Sequence, residues 1–187
     1  MKYNVEVLKK NLQARLRPDH YAHCLRTAET AARMASAFSL DEHTAYVAGL
    51  LHDCTKSMGH GELLTAAEGL GFDIYPVERR RPYLLHAKIA ARLAQSEFGV
   101  DEQIAHAIEC HTFGALDMSE LDKVIYVADL IEPGRPYEGL DRIRRIALED
   151  LDEAFRAAYI QTLGHVVKTQ HLIHPMTLDV WNKLIAE

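Results

Sequence analysis

Cysteine is scarce in this chain: its 187 residues include only three cysteines, Cys24, Cys54 and Cys110, and no Cys-x-x-Cys pair. This number and spacing exclude a disulfide framework. The missing cysteine pair also argues against a structural zinc site, because such sites usually take two or more thiolates from closely spaced cysteines. We therefore expect the three cysteines to pack as small apolar residues between secondary-structure elements.

An excess of positive charge and long apolar runs are also missing. The formal net charge is −6 and the pI is about 6.0, which excludes a generally basic surface and predicts that nucleic acid is not a partner. No run approaches the ~20 apolar residues that span a bilayer, and residues 1–6 lack the charged-then-apolar pattern of a signal peptide. We expect a cytoplasmic protein with no membrane partner.

The overall composition is that of an ordinary globular protein, with 48% hydrophobic and 26% charged residues. The length fits one domain. We predict a single domain over residues 1–187, with a core over about 17–135 and C-terminal helices over about 140–187.

Apolar residues recur at helical spacing along most of the chain, and no segment shows a convincing strand pattern. Boundaries follow from proline or acidic residues at helix starts and from glycine or proline after helix ends. Residues 72–81, which include Pro76, are predicted to form a loop. The sequence predicts an all-α, single-domain helical bundle with helices at about 18–38, 41–53, 61–70, 82–98, 101–111, 120–131, 150–170 and 175–186.

An imidazole and a carboxylate are adjacent in His52-Asp53, at the end of an apolar helix. Such a pair is costly to bury unless its members share a cation, because buried charge must be paired or coordinated. Asp129 lies in a similarly apolar run, where an ionised carboxylate also needs a partner. Three further helices carry His23, His86 and His111.

Five helices therefore each provide a nitrogen or oxygen ligand. This pattern predicts a histidine/aspartate metal site that hydrolyses a phosphoester or phosphoanhydride. Donors of this kind, without thiolate, suit Fe, Mn, Zn, Co or Mg. A bound metal lowers the pKa of its water toward ~7 and so supplies hydroxide at neutral pH.

The ordered series His23, His52-Asp53 and Asp129 resembles the HD superfamily of metal-dependent phosphohydrolases, which are all-α. Within that superfamily the chain is most similar to the YqeK family of symmetrical bis(5′-nucleosyl)-tetraphosphatases. The similarity extends from about residue 17 to residue 182. It rests on the strings AGLLHDCTK at 48–56, LHA at 85–87, CHTFG at 110–114 and ADLIEPGR at 128–135.

The resemblance implies that diadenosine tetraphosphate (Ap4A) and related dinucleoside polyphosphates are split into two molecules of ADP. It implies a divalent metal, with iron as the first candidate and Mn, Co, Mg and Zn as alternatives. The implied metal ligands are His23, His52, Asp53 and Asp129. Asp53 can bridge to a second metal, for which His86 and His111 are ligands unless they contact phosphate. The predicted catalytic residues are Asp53, Lys56, His86 and His111.

Substrate contacts are predicted around these ligands. Lys56 is placed to meet phosphate as a point charge, and Arg135 offers bidentate phosphate recognition. The chain departs from the family at His20, where arginine is common, and at Phe113, where a small residue is common. The full predicted substrate-binding set is His20, Lys56, His86, His111, Thr112, Phe113 and Arg135.

Two other functions stay open at this point: a nucleotidase or phosphodiesterase of the same superfamily, and a nucleotide-binding module with a structural metal. Glu132 is predicted either to orient a ligand histidine or Arg135, or to lie on the surface. His106 is predicted to point about 140° away from His111 along its helix. His106, His165, His171 and His174 are expected to carry no chemistry, and a homodimer is expected to form through the C-terminal helices.

Overall fold

The computed structural model describes residues 2–186, so Met1 and Glu187, the ends of the predicted domain, lie outside the described residues. Within this range the regular structure consists of α-helices and one 3-10 turn, with no strand, and the all-α prediction is confirmed. The helices are α1 (Val5–Arg15), α2 (Pro18–Ala37), α3 (Glu42–Leu51), α4 (His60–Gly69), α5 (Pro76–Arg80), α6 (His86–Phe98), α7 (Glu102–Cys110), α8 (Glu120–Ile131), α9 (Leu140–Ile146), α10 (Leu151–Lys168) and α11 (Pro175–Ala186).

Four helices, α2, α3, α7 and α8, form the centre of the bundle. α2 packs along α3 and against α8, while α7 contacts α3, α6 and α8. α10 covers the outer side of α8. The buried apolar residues of these helices belong to one large core cluster, which also includes residues of α1 and α11. A smaller cluster joins α4 to the start of α6.

Close contact between α2 and α3 depends on Gly49. A Cβ atom at this position would lie only 2.9 Å from the Cα of Ala28 on α2, which is closer than side chains approach a backbone. The two helices can therefore meet only because residue 49 has no side chain. Their contact brings His23 on α2 close to His52, which directly follows α3.

The structure corrects the predicted loop at 72–81, because residues 76–80 form the short helix α5. Pro76 occupies the first turn of this helix, where its missing N–H costs nothing. Glu78 Oε2 accepts a hydrogen bond from the Tyr75 N–H at 2.8 Å and so stabilises the helix start. The predicted helix at 82–98 also differs, since it begins as a 3-10 turn at Pro82–Leu85 and becomes α-helical at His86.

Besides α5, two more helices lie outside the set predicted from periodicity, α1 and α9. The Asn4 side chain caps α1 by accepting from the Val7 N–H at 3.2 Å, and Leu8 and Leu12 bury the inner face of that helix. α9 has seven residues, too few for a helical period to be recognised with confidence from sequence. No described helix is long and apolar enough to cross a membrane.

Candidate metal centre and adjoining clefts

Four predicted ligands converge where α2, α3 and α8 meet. His23 Nε2 lies 3.2 Å from His52 Nε2 and 2.9 Å from Asp129 Oδ1. Asp53 Oδ2 lies 3.5 Å from His52 Nε2 and 3.9 Å from His23 Nε2. We call His23, His52, Asp53 and Asp129 the first donor group. Separations of about 3 Å are those expected between ligands of one ion when each metal–ligand bond is about 2 Å long.

Two more histidines, His86 and His111, lie on the other side of Asp53. His86 Nε2 is 3.1 Å from His111 Nε2 and 3.2 Å from Asp53 Oδ1, and His111 Nε2 is 3.6 Å from Asp53 Oδ1. We call His86, His111 and Asp53 Oδ1 the second donor group. The Asp53 carboxylate therefore faces the first group with Oδ2 and the second group with Oδ1.

Hydrogen bonds at Nδ1 orient all four histidines. The partners of Nδ1 are Glu132 Oε1 for His23 (3.1 Å), Gly49 O for His52 (2.7 Å), Tyr83 O for His86 (2.6 Å) and Ile108 O for His111 (2.6 Å). Carbonyl and carboxylate oxygens only accept, so Nδ1 carries the hydrogen and Nε2 keeps its lone pair. This is the usual arrangement of histidines that bind metal through Nε2.

The two carboxylates of the first donor group are held ionised. Burial raises the pKa of Asp53, but His52, Lys56 and His111 outweigh this effect and hold the pKa well below its usual range. For Asp129, burial is likewise outweighed by His23, Arg135 and His52, so its pKa is also well lowered. Two anionic carboxylates and two imidazoles form a donor set that fits a divalent cation.

Glu132 orients His23 through a hydrogen bond, and Arg26 in turn pairs with Glu132. Glu132 is buried, and it bonds His23 Nδ1 through Oε1 and Arg26 Nε and the Gly134 N–H through Oε2. A Cβ at Gly134 would lie 2.6 Å from Arg26 Cζ, so glycine at this position leaves room for the guanidinium. The sequence left the role of Glu132 open and missed Arg26. Arg26 follows His23 by three residues and therefore lies on the same face of α2, and this spacing was the signal available from sequence.

Two clefts adjoin the centre. The larger has a volume of about 260 Å³ and is walled by Tyr83, Tyr126 and Tyr137, with His86, His111 and Asp129 at its base. The smaller has a volume of about 240 Å³ and includes Asp19, His20, Arg26, His23 and Asp53. Lys56 and Arg135 line both clefts.

The predicted substrate residues do not all face these clefts. Thr112 Oγ1 lies 3.4 Å from His86 Nε2 and 3.3 Å from His111 Nε2, in the larger cleft. His20 lines the smaller cleft, and its Nδ1 is buried without a partner among residues 2–186. Phe113 lines neither cleft and instead stacks on His174, with ring centroids 4.1 Å apart.

Lys56 and Arg135 are already engaged at the centre. Lys56 Nζ lies 3.1 Å from Asp53 Oδ1 and 3.0 Å from His86 Nε2. The Arg135 guanidinium donates to the carboxylate and to the backbone carbonyl of Asp129. Both cations therefore lie within reach of any phosphate that approaches the donor groups.

Three histidines expected to carry no chemistry have defined surroundings. His165 lines the rim of the larger cleft. His174 is buried and lies 3.5 Å from Glu78 Oε1. His106, predicted to point away from His111, contacts Cys110 and Asp122 instead. The contacts of His174 with Glu78 and of His106 with Asp122 join different segments of the chain, so periodicity alone does not show them.

Residues 20–134 match the family described as the HD domain. This range contains every residue of both donor groups. The chain belongs to the HD domain family.

Relatives within that family cover nearly the whole chain. A protein of Bacillus subtilis named symmetrical bis(5′-nucleosyl)-tetraphosphatase is 34% identical over 178 residues, which are 94% of this chain and 94% of that protein. A Staphylococcus aureus protein of the same name is 31% identical and covers 96% of this chain and 93% of its own length. Among solved structures, a Clostridium acetobutylicum protein described as a predicted HD superfamily hydrolase involved in NAD metabolism is 34% identical, with a TM-score of 0.93 over 98% of both chains. The family resemblance read from the sequence is confirmed.

In this HD domain, the ionisation of His86 is expected to make the stability of the metal-stripped protein depend on pH. Burial, followed by the charge of Lys56, lowers the pKa of His86 from 6.5 to about 4. The unfolded chain therefore binds a proton at His86 between these values when the folded chain does not. The contribution of His86 to the free energy of unfolding is complete above pH 6.5 and is lost as the pH falls toward 4. The measurement is urea unfolding across this range, together with NMR titration of the His86 ring.

The variant Lys56→Met provides the comparison for this titration. Without the ammonium group 3.0 Å from His86 Nε2, the pKa of His86 should rise. An imidazole that titrates near 6.5 in the unmodified chain would contradict the expected shift.

Glu132 is expected to act as a positioning residue for His23. Glu132→Ala should lower the affinity for metal about 10–100-fold, the usual effect of losing a group that orients a metal ligand. Glu132→Gln should retain part of the affinity, because its amide oxygen can still accept from His23 Nδ1. Titration of the stripped protein with Mn²⁺ measures both effects, with Glu120→Gln as an exposed control on α8. An affinity for Glu132→Ala within about twofold of the unmodified chain would disprove this role.

Proposed function

We propose that this HD domain hydrolyses Ap4A and related dinucleoside polyphosphates symmetrically, which yields two molecules of ADP from Ap4A. The near-full-length relatives named symmetrical tetraphosphatases support this activity. The observation that carries the proposal is that members of the donor groups line two adjoining clefts, both of which are also lined by Lys56 and Arg135. A substrate with a nucleoside at each end and a reacting bond in the middle would fit this arrangement.

The first donor group would hold a divalent cation, with iron as the first candidate and Mn, Co, Mg and Zn as alternatives. Its two imidazole nitrogens and two carboxylates suit these ions. When bound, the cation would activate a water for attack and polarise a phosphoryl oxygen. A second cation at the second donor group would have to displace Lys56, which already contacts two of its three members. We therefore assign the primary site to the first group.

Positive side chains of the protein would neutralise the polyphosphate. The Lys56 ammonium, a third exposed, can reach a phosphate from its place beside Asp53. Arg135 donates to Asp129 Oδ1, and its fork can pair with two phosphate oxygens when that carboxylate serves as a metal ligand. Both residues would stabilise charge on the diphosphate that leaves.

The histidines of the second donor group would position the reacting groups. His86 is held neutral by burial and by Lys56, which lower its pKa to about 4, so His86 Nε2 acts as a hydrogen-bond acceptor. Thr112 Oγ1, close to both imidazoles, can donate to phosphate or orient a water. The tyrosines of the larger cleft offer apolar ring surfaces with polar ends, which suit a nucleobase.

Product analysis tests this proposal. Metal-stripped protein is restored with Fe²⁺, Mn²⁺, Co²⁺, Mg²⁺ or Zn²⁺, incubated with Ap4A, and the products are separated by chromatography. ADP as the sole product is the expected result, and the most active metal identifies the preferred cofactor. AMP together with ATP would overturn the symmetrical register, and no turnover with any metal would favour another nucleotide substrate or a binding module.

A homodimer and a cytoplasmic location stay predictions. Exposed apolar side chains on α10 and α11, among them Ile160, Val167, Leu178 and Ile185, support the homodimer, because contiguous apolar surface often marks an interaction site. The division of the domain near residues 135–140 also stays a prediction.

A further inference from the structure

Apart from the two donor groups, one more set of potential metal ligands comes together among residues 2–186. It consists of His106 and Cys110 on α7 and Asp122 on α8. Cys110 Sγ lies 3.6 Å from the ring nitrogens of His106, and His106 Nδ1 lies 2.9 Å from Asp122 Oδ2. One ligand atom from each residue lies within 4.8 Å of the others.

We propose that His106, Cys110 and Asp122 form a separate binding site for a transition-metal ion, with zinc as the ion of best fit. Histidine nitrogen, thiolate sulfur and carboxylate oxygen are the three ligand types that zinc takes in proteins. Tetrahedral bond lengths imply S···N separations of about 3.5 Å and N···O separations of about 3.3 Å. The observed S···N distance already agrees, and the N···O pair needs to open by only a few tenths of an ångström.

Local helix geometry presents two of these ligands on one face. His106 and Cys110 are four residues apart, so their side chains project from the same side of α7. Asp122 faces them from the first turn of α8, which packs against α7. The sequence argued against a thiolate zinc site because no cysteine pair exists. The structure instead supplies the other two ligands from a histidine and an aspartate.

An unpartnered oxygen of Asp122 points independently to a cation. The Asp122 side chain is buried, and Oδ2 accepts from the Ser119 N–H at 2.7 Å as part of the cap of α8. Oδ1 has no hydrogen-bond partner among residues 2–186. Leaving a buried carboxylate oxygen without a donor is costly, and native structures rarely do so. The helix cap explains Oδ2 alone, whereas a bound cation would satisfy the whole carboxylate.

Negatively charged side chains surround the buried thiol, and the neighbouring His106 is partly exposed. Burial and the negative charges of Asp122, Glu109 and Asp117 all raise the pKa of Cys110, and such a field attracts a cation. Lys123, the neighbour of Asp122, pairs with Asp152. The His106 side chain is 37% exposed and leaves a path for an ion to enter.

The site is separate from the centre in position and in chemistry. None of its three residues lines either cleft, so the inference does not depend on the proposed hydrolase activity. A bound ion would connect α7 to α8. These helices carry His111 and Asp129, so the ion would stabilise the packing on which both donor groups depend.

Cobalt spectroscopy of the full chain tests the site. Co²⁺ bound to a thiolate gives an intense ligand-to-metal charge-transfer band in the near ultraviolet, whereas the donor groups of the centre contain no thiolate. Metal-stripped protein titrated with Co²⁺ is expected to develop this band. Cys110→Ala should abolish it, while Cys24→Ala, a control that removes another buried cysteine, should retain it. Asp53→Asn should also retain the band, because that residue belongs only to the centre.

His106→Gln is a milder variant, since this side chain is partly exposed. It should weaken Co²⁺ binding at the thiolate site by more than about tenfold. Removal of a direct metal ligand should lower the affinity more than removal of a residue that only orients a ligand. The proposal is overturned if unmodified protein shows no thiolate band at saturating Co²⁺, or if the band survives in Cys110→Ala. Disappearance of the band in Asp53→Asn would assign it to the centre and would equally overturn a separate site.

Discussion

Asp53→Asn is expected to reduce the hydrolysis of Ap4A at least about a thousandfold, which corresponds to about 4 kcal/mol of activation free energy. Asp53 contributes one carboxylate oxygen to each donor group, with Oδ2 toward His52 and Oδ1 toward His86 and His111. The amide has nearly the same shape but lacks the negative charge. Both groups would therefore lose an anionic ligand while the packing around residue 53 stays almost unchanged.

The measurement is turnover at saturating metal, together with circular dichroism to show that the helices persist. Asp73→Asn removes one carboxylate from an exposed position and should leave turnover unchanged, which controls for the change in net charge. His52→Ala should also abolish turnover. Activity of Asp53→Asn within about tenfold of the unmodified chain would show that the centre does not operate as proposed.

Gly49→Ala is expected to lower the free energy of unfolding by about 2 kcal/mol. Overpacking a close contact typically costs about 1–3 kcal/mol, and here the new methyl group would lie 2.9 Å from the Cα of Ala28. A backbone atom cannot turn aside, so the cost should reach or exceed the upper end of this range. The better helix propensity of alanine returns only about 1 kcal/mol.

Gly164→Ala is the matched control, because the same substitution at this position should raise the free energy of unfolding instead of lowering it. Gly164 lies inside α10, and a Cβ at this position would meet nothing within 4 Å. Helix propensity alone then predicts a gain of about 0.5–1 kcal/mol. Urea unfolding of both variants measures the difference. Equal effects of the two substitutions would mean that α2 and α3 do not require a glycine at their contact.

Gly49→Ala should also weaken metal binding. The Gly49 carbonyl accepts from His52 Nδ1 at 2.7 Å, and the separation of α2 from α3 sets the distance between His23 and His52. A shift of the two helices would change both. Titration with Mn²⁺ should therefore show lower affinity in Gly49→Ala than in Gly164→Ala.

The long amphipathic helices could be predicted from sequence because apolar spacing and helix-end signals are local properties. α8 illustrates this, with Ser119 as its cap and Pro133 soon after its end. Short elements were missed where the local signal was weak or ambiguous. α9 has only seven residues, and Pro76 marks a helix start as readily as a loop.

The candidate ligands could also be named from sequence, because ionisable residues in apolar helices are costly without a partner. The same reasoning did not decide whether Glu132 orients a neighbouring side chain or lies on the surface, since a side chain at a helix end can be buried or exposed. Only its contacts with His23 and Arg26 show that it lies behind the centre. Phe113 was expected beside substrate from the family string, but its ring packs on His174, which is distant in sequence.

The sequence by itself determined the helical class, the family and the chemical type of the ligands, because these depend on residue identity and local spacing. Tertiary structure alone decided how the ligands divide into two groups on either side of Asp53. It also decided that Lys56 and Arg135 line both clefts. It also brought Asp122 to His106 and Cys110. Distances between side chains on different helices depend on how closely those helices pack, and contacts such as that between Gly49 and Ala28 set this packing in three dimensions.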